Sequence, residues 1–141
     1  MSARSKARKR AFEILFEAEQ RGVNAVTLLD ERILDPRRAG QEDHPVAPFA
    51  ADLVRGVVAH WATIDDALGT YSQGWALDRM PAVDRSILRI GAYEVLFSTE
   101  VPEGVAISEA VALARELSTD DSPTFVNGLL SRLQEVKPTL V

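Results

Sequence analysis

Five cations crowd the start of this chain: Arg4, Lys6, Arg8, Lys9 and Arg10, all ahead of the first acid, Glu13. They are five of the 16 basic residues, so the remainder holds 11 basic against 21 acidic side chains, a net of −10. A concentrated basic arm on an acidic body fits a local contact with a polyanion, not a general coat for nucleic acid. A solvated, frayed terminus would carry the same charges. A second polar group lies far downstream. Arg115 is followed by Ser118, Thr119, Asp120, Asp121, Ser122 and Phe125, at and around a predicted helix N-terminus. Such an end offers backbone N–H groups and a positive dipole to a phosphate. Phe125 offers an aromatic face to an unstacked base. The competing reading is that Asp120 and Asp121 only complement the dipole while Phe125 fills the core.

Other chemistries find less support. His44 and His60 are the only histidines. They lie in different segments without a second ligand at helix-face spacing, so neither a metal site nor a histidine base is expected. No glycine loop to cradle phosphate and no dinucleotide fingerprint is present. The acid pairs Asp65-Asp66 and Asp120-Asp121 are adjacent and solvent-like, which does not make an acid/base pair. We therefore expect no catalytic residue and no cofactor, and read the chain as a binding protein. With no cysteine, disulfides, thiolate zinc sites and thiol nucleophiles are excluded. No apolar run approaches a membrane span, and the N-terminus lacks a signal-like apolar segment, so the cytoplasm is the expected compartment.

These groups must be positioned by helices. The organising stretch is Met80 to Phe97, opened by Pro81 at a position suited to a first turn. Val83, Ile87, Ile90, Gly91 and Phe97 share one face, while Leu88, Ala92, Val95 and Leu96 extend apolar character round the sides. A helix this apolar is buried on several sides. Glu94 lies in the row of Ile87 and Ile90, where a carboxylate needs donors.

The first helix is expected over 4–21, with Ala7, Ala11, Ile14, Leu15 and Ala18 as its stripe and Phe12 beside it. Lys6, Lys9 and Arg10 point to solvent in this reading. Arg4 and Arg8 extend the apolar face, and Phe16 sits off the stripe, either at the core margin or exposed for a partner. Gly22 should stop this helix and Asn24 cap the next, over 25–35 through Val26, Leu29, Ile33 and Leu34. Residues 36–48 read as a flexible loop within one domain. Helices follow over 48–60, and over 63–72 with Thr63 as a cap, before a turn at Gly74-Trp75. Two more follow the central one, over 106–118 and from Ser122, as cap, to a stop before Pro138. Asn127-Gly128 is a strong hairpin signal, but the stripe Val126, Leu129, Leu130 and Leu133 runs through it, so Gly128 is expected to allow close helix packing. No convincing strand is present. The expected fold is all-α, a single domain over 1–141 of about seven helices, with a basic arm over 1–10.

The order of motifs adds a resemblance. Trp75-Ala76-Leu77-Asp78-Arg79 is followed by Val83-Asp84-Arg85-Ser86-Ile87-Leu88-Arg89-Ile90 with Tyr93-Glu94. Val105-Ala106-Ile107-Ser108-Glu109-Ala110-Val111 comes next, then Phe125-Val126-Asn127-Gly128-Leu129-Leu130. From about Arg4 to Val136 this series resembles the NusB family of transcription antitermination factors, which are small all-helical domains. The resemblance implies binding of the boxA element of ribosomal-RNA transcripts together with NusE, a small-subunit ribosomal protein, within an RNA polymerase antitermination complex. By position it implies RNA contacts from Arg4, Lys6, Arg8 and Lys9, and from Arg115, Asp121 and Phe125. Phe16 and Asp84 match positions that face NusE. Ser5 interrupts a run that is usually richer in arginine, and Ser108 stands where the family usually has asparagine. The alternative is a helical protein-interaction adaptor, or a homodimeric scaffold closed over the surface around Phe16, without specific RNA binding.

Overall fold

A computed structural model describes residues 2–35 and 45–141. Among the described residues there are seven α-helices and no strand: α1 (Ala3–Arg21), α2 (Ala25–Leu34), α3 (Pro48–Ala59), α4 (Trp61–Tyr71), α5 (Ala82–Leu96), α6 (Glu103–Leu117) and α7 (Ser122–Leu140). One 3₁₀ turn, Leu77–Arg79, lies between α4 and α5. The chain forms two compact units, one up to Ala59 and one from His60 to Val141. Of the expected 36–48 loop, residues 36–44 lie outside the described residues; 45–47 have no regular structure and Pro48 begins α3.

In the first unit α1, α2 and α3 pack on one another. The Ser2 hydroxyl accepts from Ser5 N–H and starts α1. The stripe Ala7, Ala11, Ile14, Leu15 and Ala18 is buried, with Phe12 beside it. Gly22 ends the helix in the left-handed region at φ 67°, and Val23 N–H reaches back to the Ala18 carbonyl at 3.0 Å. This conformation suits glycine and ties up the last carbonyls. Asn24 caps α2, its side-chain oxygen accepting from Val26 and Thr27 N–H at 2.8 and 3.1 Å. The buried face of α2 differs in phase from the expected one. It runs through Ala25, Leu28 and Leu29, while Ile33 and Leu34 are exposed. Glu17 joins the first two helices, accepting from Arg32 at 2.7 Å and from Arg21 at 2.8 Å. These bonds, Arg32 first, hold the Glu17 carboxyl below its usual range against the opposing effect of burial.

In the second unit α5 packs against α4, α6 and α7. Ile87, Leu88, Ile90, Ala92, Val95 and Leu96 are all buried, as are Asp84, Arg89 and Glu94. Pro81 stands just outside the helix as its N-cap residue, its carbonyl accepting from Arg85 N–H. Close packing falls to Gly91, not Gly128. A Cβ on Gly91 would lie 2.6 Å from Leu130 Cδ1 and 3.3 Å from Ala110 Cβ, whereas one on Gly128 would meet only the tip of Arg132. The absent side chain thus lets α6 and α7 approach α5.

Other helix ends also differ from expectation. α4 starts at Trp61, with His60 and not Thr63 at its cap position, because the His60 carbonyl already accepts the first helical bond, from Ile64 N–H at 2.9 Å. α6 starts at Glu103, since the Pro102 carbonyl accepts from Val105 and Ala106 N–H and Gly104 is absorbed into the first turn. α7 has Asp121 at its cap position and Ser122 inside the helix. It also runs through Pro138 to Leu140. A proline there removes one helical donor, and the turn is still held by Thr139 Oγ1 to the Val136 carbonyl and Val141 N–H to that of Lys137.

Candidate nucleic-acid interface

The basic arm is ordered as the first turns of α1, so its cations take fixed directions. Arg4 and Lys6 are exposed and Lys9 is half-buried. Arg8 is only 2% exposed. Its guanidinium lies 5.2 Å from the Phe49 ring centroid, and that of Arg4 lies over the same ring at 4.7 Å. Phe49 on α3 is therefore a cation–π anchor that holds two arginines of the arm side by side. Arg10 does not project into solvent as its spacing predicts. It is half-buried, and desolvation lowers its pKa, opposed by Glu13 and reinforced by Arg32. Lys6 and Arg10 lie one turn apart on the same helix face, but Arg10 is the one close enough to Arg32 of α2 to be repelled by it.

In the second unit the C-terminus of α6 and the N-terminus of α7 form a corner. Arg115, Thr119, Asp120 and Asp121 are exposed there, and Phe125 is half-buried. Asp121 makes no side-chain capping bond, so its carboxylate is an exposed charge beside the helix end. Phe125 packs edge-on against Trp75, with centroids 5.2 Å apart and planes at 88°. Such an edge-to-face contact fixes a ring while leaving part of it open. Trp75 heads one of the sequence motifs, but nothing in helical spacing pairs residues 50 positions apart.

Beneath this corner lies Asp84, in the first turn of α5 and 0% exposed. Ser118 Oγ donates to one of its carboxylate oxygens, and Ser122 Oγ donates to the other at 2.8 Å. Ser122 also lies 3.0 Å from Ser118 Oγ and 2.8 Å from Thr119 Oγ1. Ser122 has the residue type and the following proline of a cap for α7 but stands one residue inside the helix, and the buried carboxylate takes its hydroxyl. Of the two positions expected to face NusE, Phe16 is half-buried with its ring stacked on Phe12 at 5.6 Å, and Asp84 points inward.

An open cleft of about 420 Å³ is lined by Asp65, Leu77, Asp78, Arg85 and Arg89. Its guanidiniums have structural work. Arg89 holds both carboxylate oxygens of Asp65 at 2.9 and 3.0 Å and lies 4.0 Å from the centre of the Trp61 ring. Arg85 donates to the Leu77 and Met80 carbonyls, closing the 3₁₀ turn. His60 stacks on Phe97 with centroids 3.8 Å apart, and His44 lies outside the described residues. Among the described residues no group of three or more His, Asp or Glu side chains could hold a metal ion, and no helix is long and apolar enough to cross a membrane.

Comparison with known proteins agrees with this architecture. The NusB family profile matches residues 5–135. The transcription antitermination protein NusB of an Arthrobacter species is 57% identical over 141 residues, covering 100% of this chain and 99% of that protein. That of Kineococcus radiotolerans is 57% identical over 140 residues, covering 99% and 98%. Among solved structures, NusB of T. maritima superposes with a TM-score of 0.77 at 34% identity, covering 95% of this chain and 92% of that one. A structure of the antitermination factors NusB and NusE in complex with double-stranded RNA gives a TM-score of 0.78 at 28% identity, covering 94% and 96%. With its fold, its motifs and nearly its whole length matched, the chain belongs to the NusB family of transcription antitermination factors.

Proposed function

We propose that this protein acts in the cytoplasm, as one functional domain over residues 1–141, by binding boxA RNA of ribosomal-RNA transcripts together with NusE. The complex then joins the RNA polymerase assembly that resists termination. It carries out no chemical reaction; its work is selective binding. The observation that carries this reading is the ordered basic arm, whose exposed cations stand on a fixed helix otherwise embedded in an acidic protein. Arg4, Lys6 and Lys9 meet phosphates, and Arg8 backs them through the Phe49 ring it shares with Arg4. Arg115 and Phe125 supply a cation and a ring face at the α6–α7 corner, beside the Asp121 charge. Phe16 offers NusE a half-open aromatic surface on α1, and Asp84 serves that partner only through the residues it holds.

Cations that neutralise phosphates release counterions, so the affinity of a single strand falls with salt by about 0.7 in log–log slope for each phosphate neutralised. Fluorescence anisotropy of a boxA-type RNA, measured across a salt series, tests the arm. The triple variant Arg4→Ala, Lys6→Ala, Lys9→Ala is expected to bind more weakly and to flatten the slope by up to about 2, the sum for three phosphates left without a cation. A slope equal to that of the unmodified protein would remove the arm from the interface.

A further inference from the structure

We propose that Asp84 is the positioning residue of the α6–α7 corner and sets RNA affinity from beneath it, an inference that rests on the RNA reading above. A carboxylate with no exposure is costly unless donors surround it. Here the donors are two hydroxyls that bracket the corner: Ser118 closes α6 and Ser122 opens α7. Each takes a separate oxygen, so one side chain fixes both ends of the segment Thr119–Asp121, whose residues are exposed. Ser122 is itself 0% exposed and bonded to Ser118 and Thr119, which joins the three hydroxyls into one network around the carboxylate. Phe125 follows Ser122 by three residues on the same helix, with its ring edge against Trp75. The carboxylate thus sets the angle at which α7 leaves the corner, and with it the presentation of Asp121 and Phe125. Because Asp84 has no exposed surface, it acts on RNA only through Ser118 and Ser122.

The test measures RNA affinity of the full chain in the absence of NusE, at a temperature where each variant is fully folded. Asp84→Ala should weaken binding roughly tenfold, the order expected when two charge-assisted hydrogen bonds that hold a site are removed. The salt slope should stay unchanged, since every phosphate keeps its cation. The double variant Ser118→Ala, Ser122→Ala should weaken binding comparably, and adding Asp84→Ala to it should cause no further loss, because the three residues act as one unit. Asp84→Asn, which keeps an acceptor for Ser118 and can bond the Ser122 hydroxyl, should restore most of the affinity. Amide hydrogen exchange should rise over residues 118–125 and not across α1–α3. If Asp84→Ala or the double variant does not fold, the single variants Ser118→Ala and Ser122→Ala, each of which leaves the carboxylate one donor, decide the question. Unchanged affinity in these variants, while Phe125→Ala loses affinity, would overturn the proposal and leave the RNA reading standing. Unchanged affinity in Phe125→Ala as well would overturn the proposal and remove the corner, though not the basic arm, from the interface.

Discussion

At the scale of single residues, burial separates side chains that their types alone would group together. Asp84 and Asp121 are both acids close to the α6–α7 corner. One is 0% exposed and bound by two hydroxyls; the other is exposed and makes no capping bond. An uncapped carboxylate beside bound RNA repels phosphate, and the effect is moderate because solvent screens it. Asp121→Asn is therefore expected to tighten RNA binding roughly two- to fivefold at low salt with little change in melting temperature. Calorimetry and anisotropy on the same preparation check both halves. A drop in melting temperature with no gain in affinity would make Asp121 a helix-end residue only. Arg8 and Arg4 divide in a similar way: both flank Phe49, but only Arg4 is exposed.

Helices are the scale at which the sequence is most informative, and the reasons are local. Stripes at three- and four-residue spacing locate α1, α3, α5 and the core face of α7, because amphipathic periodicity and burial are the same fact seen twice. Gly22 and Asn24 are legible because a left-handed stop and an N-cap act within a few residues. The misreadings share a different cause. Ser122 has the right type and neighbour for a cap, but Asp84, 38 positions away, claims its hydroxyl. Gly128 and Gly91 look alike in sequence, yet only Gly91 faces Leu130 and Ala110. The Trp75–Phe125 contact and the Phe49 anchor likewise join distant segments. One element-scale contact gives a pH prediction. The Glu17 carboxyl, bonded to Arg32 and Arg21, is held below its usual range. A depressed carboxyl contributes stability above its unfolded value of about 4.3 and loses it as pH falls through the folded one. Glu17 is about a third exposed, so Glu17→Gln should cost only about 0.5 kcal/mol at pH 7. That difference should narrow as pH falls below about 4.3 and be smaller at about pH 3 than at pH 7, as the native carboxyl takes up its proton. Urea melts at the two pH values check this, and an equal difference at both would rule out the charge as its source.

For the whole molecule, charge and architecture point the same way. A chain with net charge −5 concentrates five of its 16 cations on the first turns of one ordered helix, which favours that end for contact with a polyanion and limits non-specific attachment elsewhere. The second unit supplies a polar corner, fixed from inside by Asp84 and finished by an aromatic pair. Each feature, taken by itself, is suited to contact with a flexible strand. The most direct measurement is a titration of labelled boxA-type RNA against the full protein, with and without NusE, beside a scrambled RNA of equal length. Selective recognition of boxA together with NusE predicts tighter binding of the boxA sequence and a further gain when NusE is present. Equal, weak binding of both RNAs, unaffected by NusE, would contradict it.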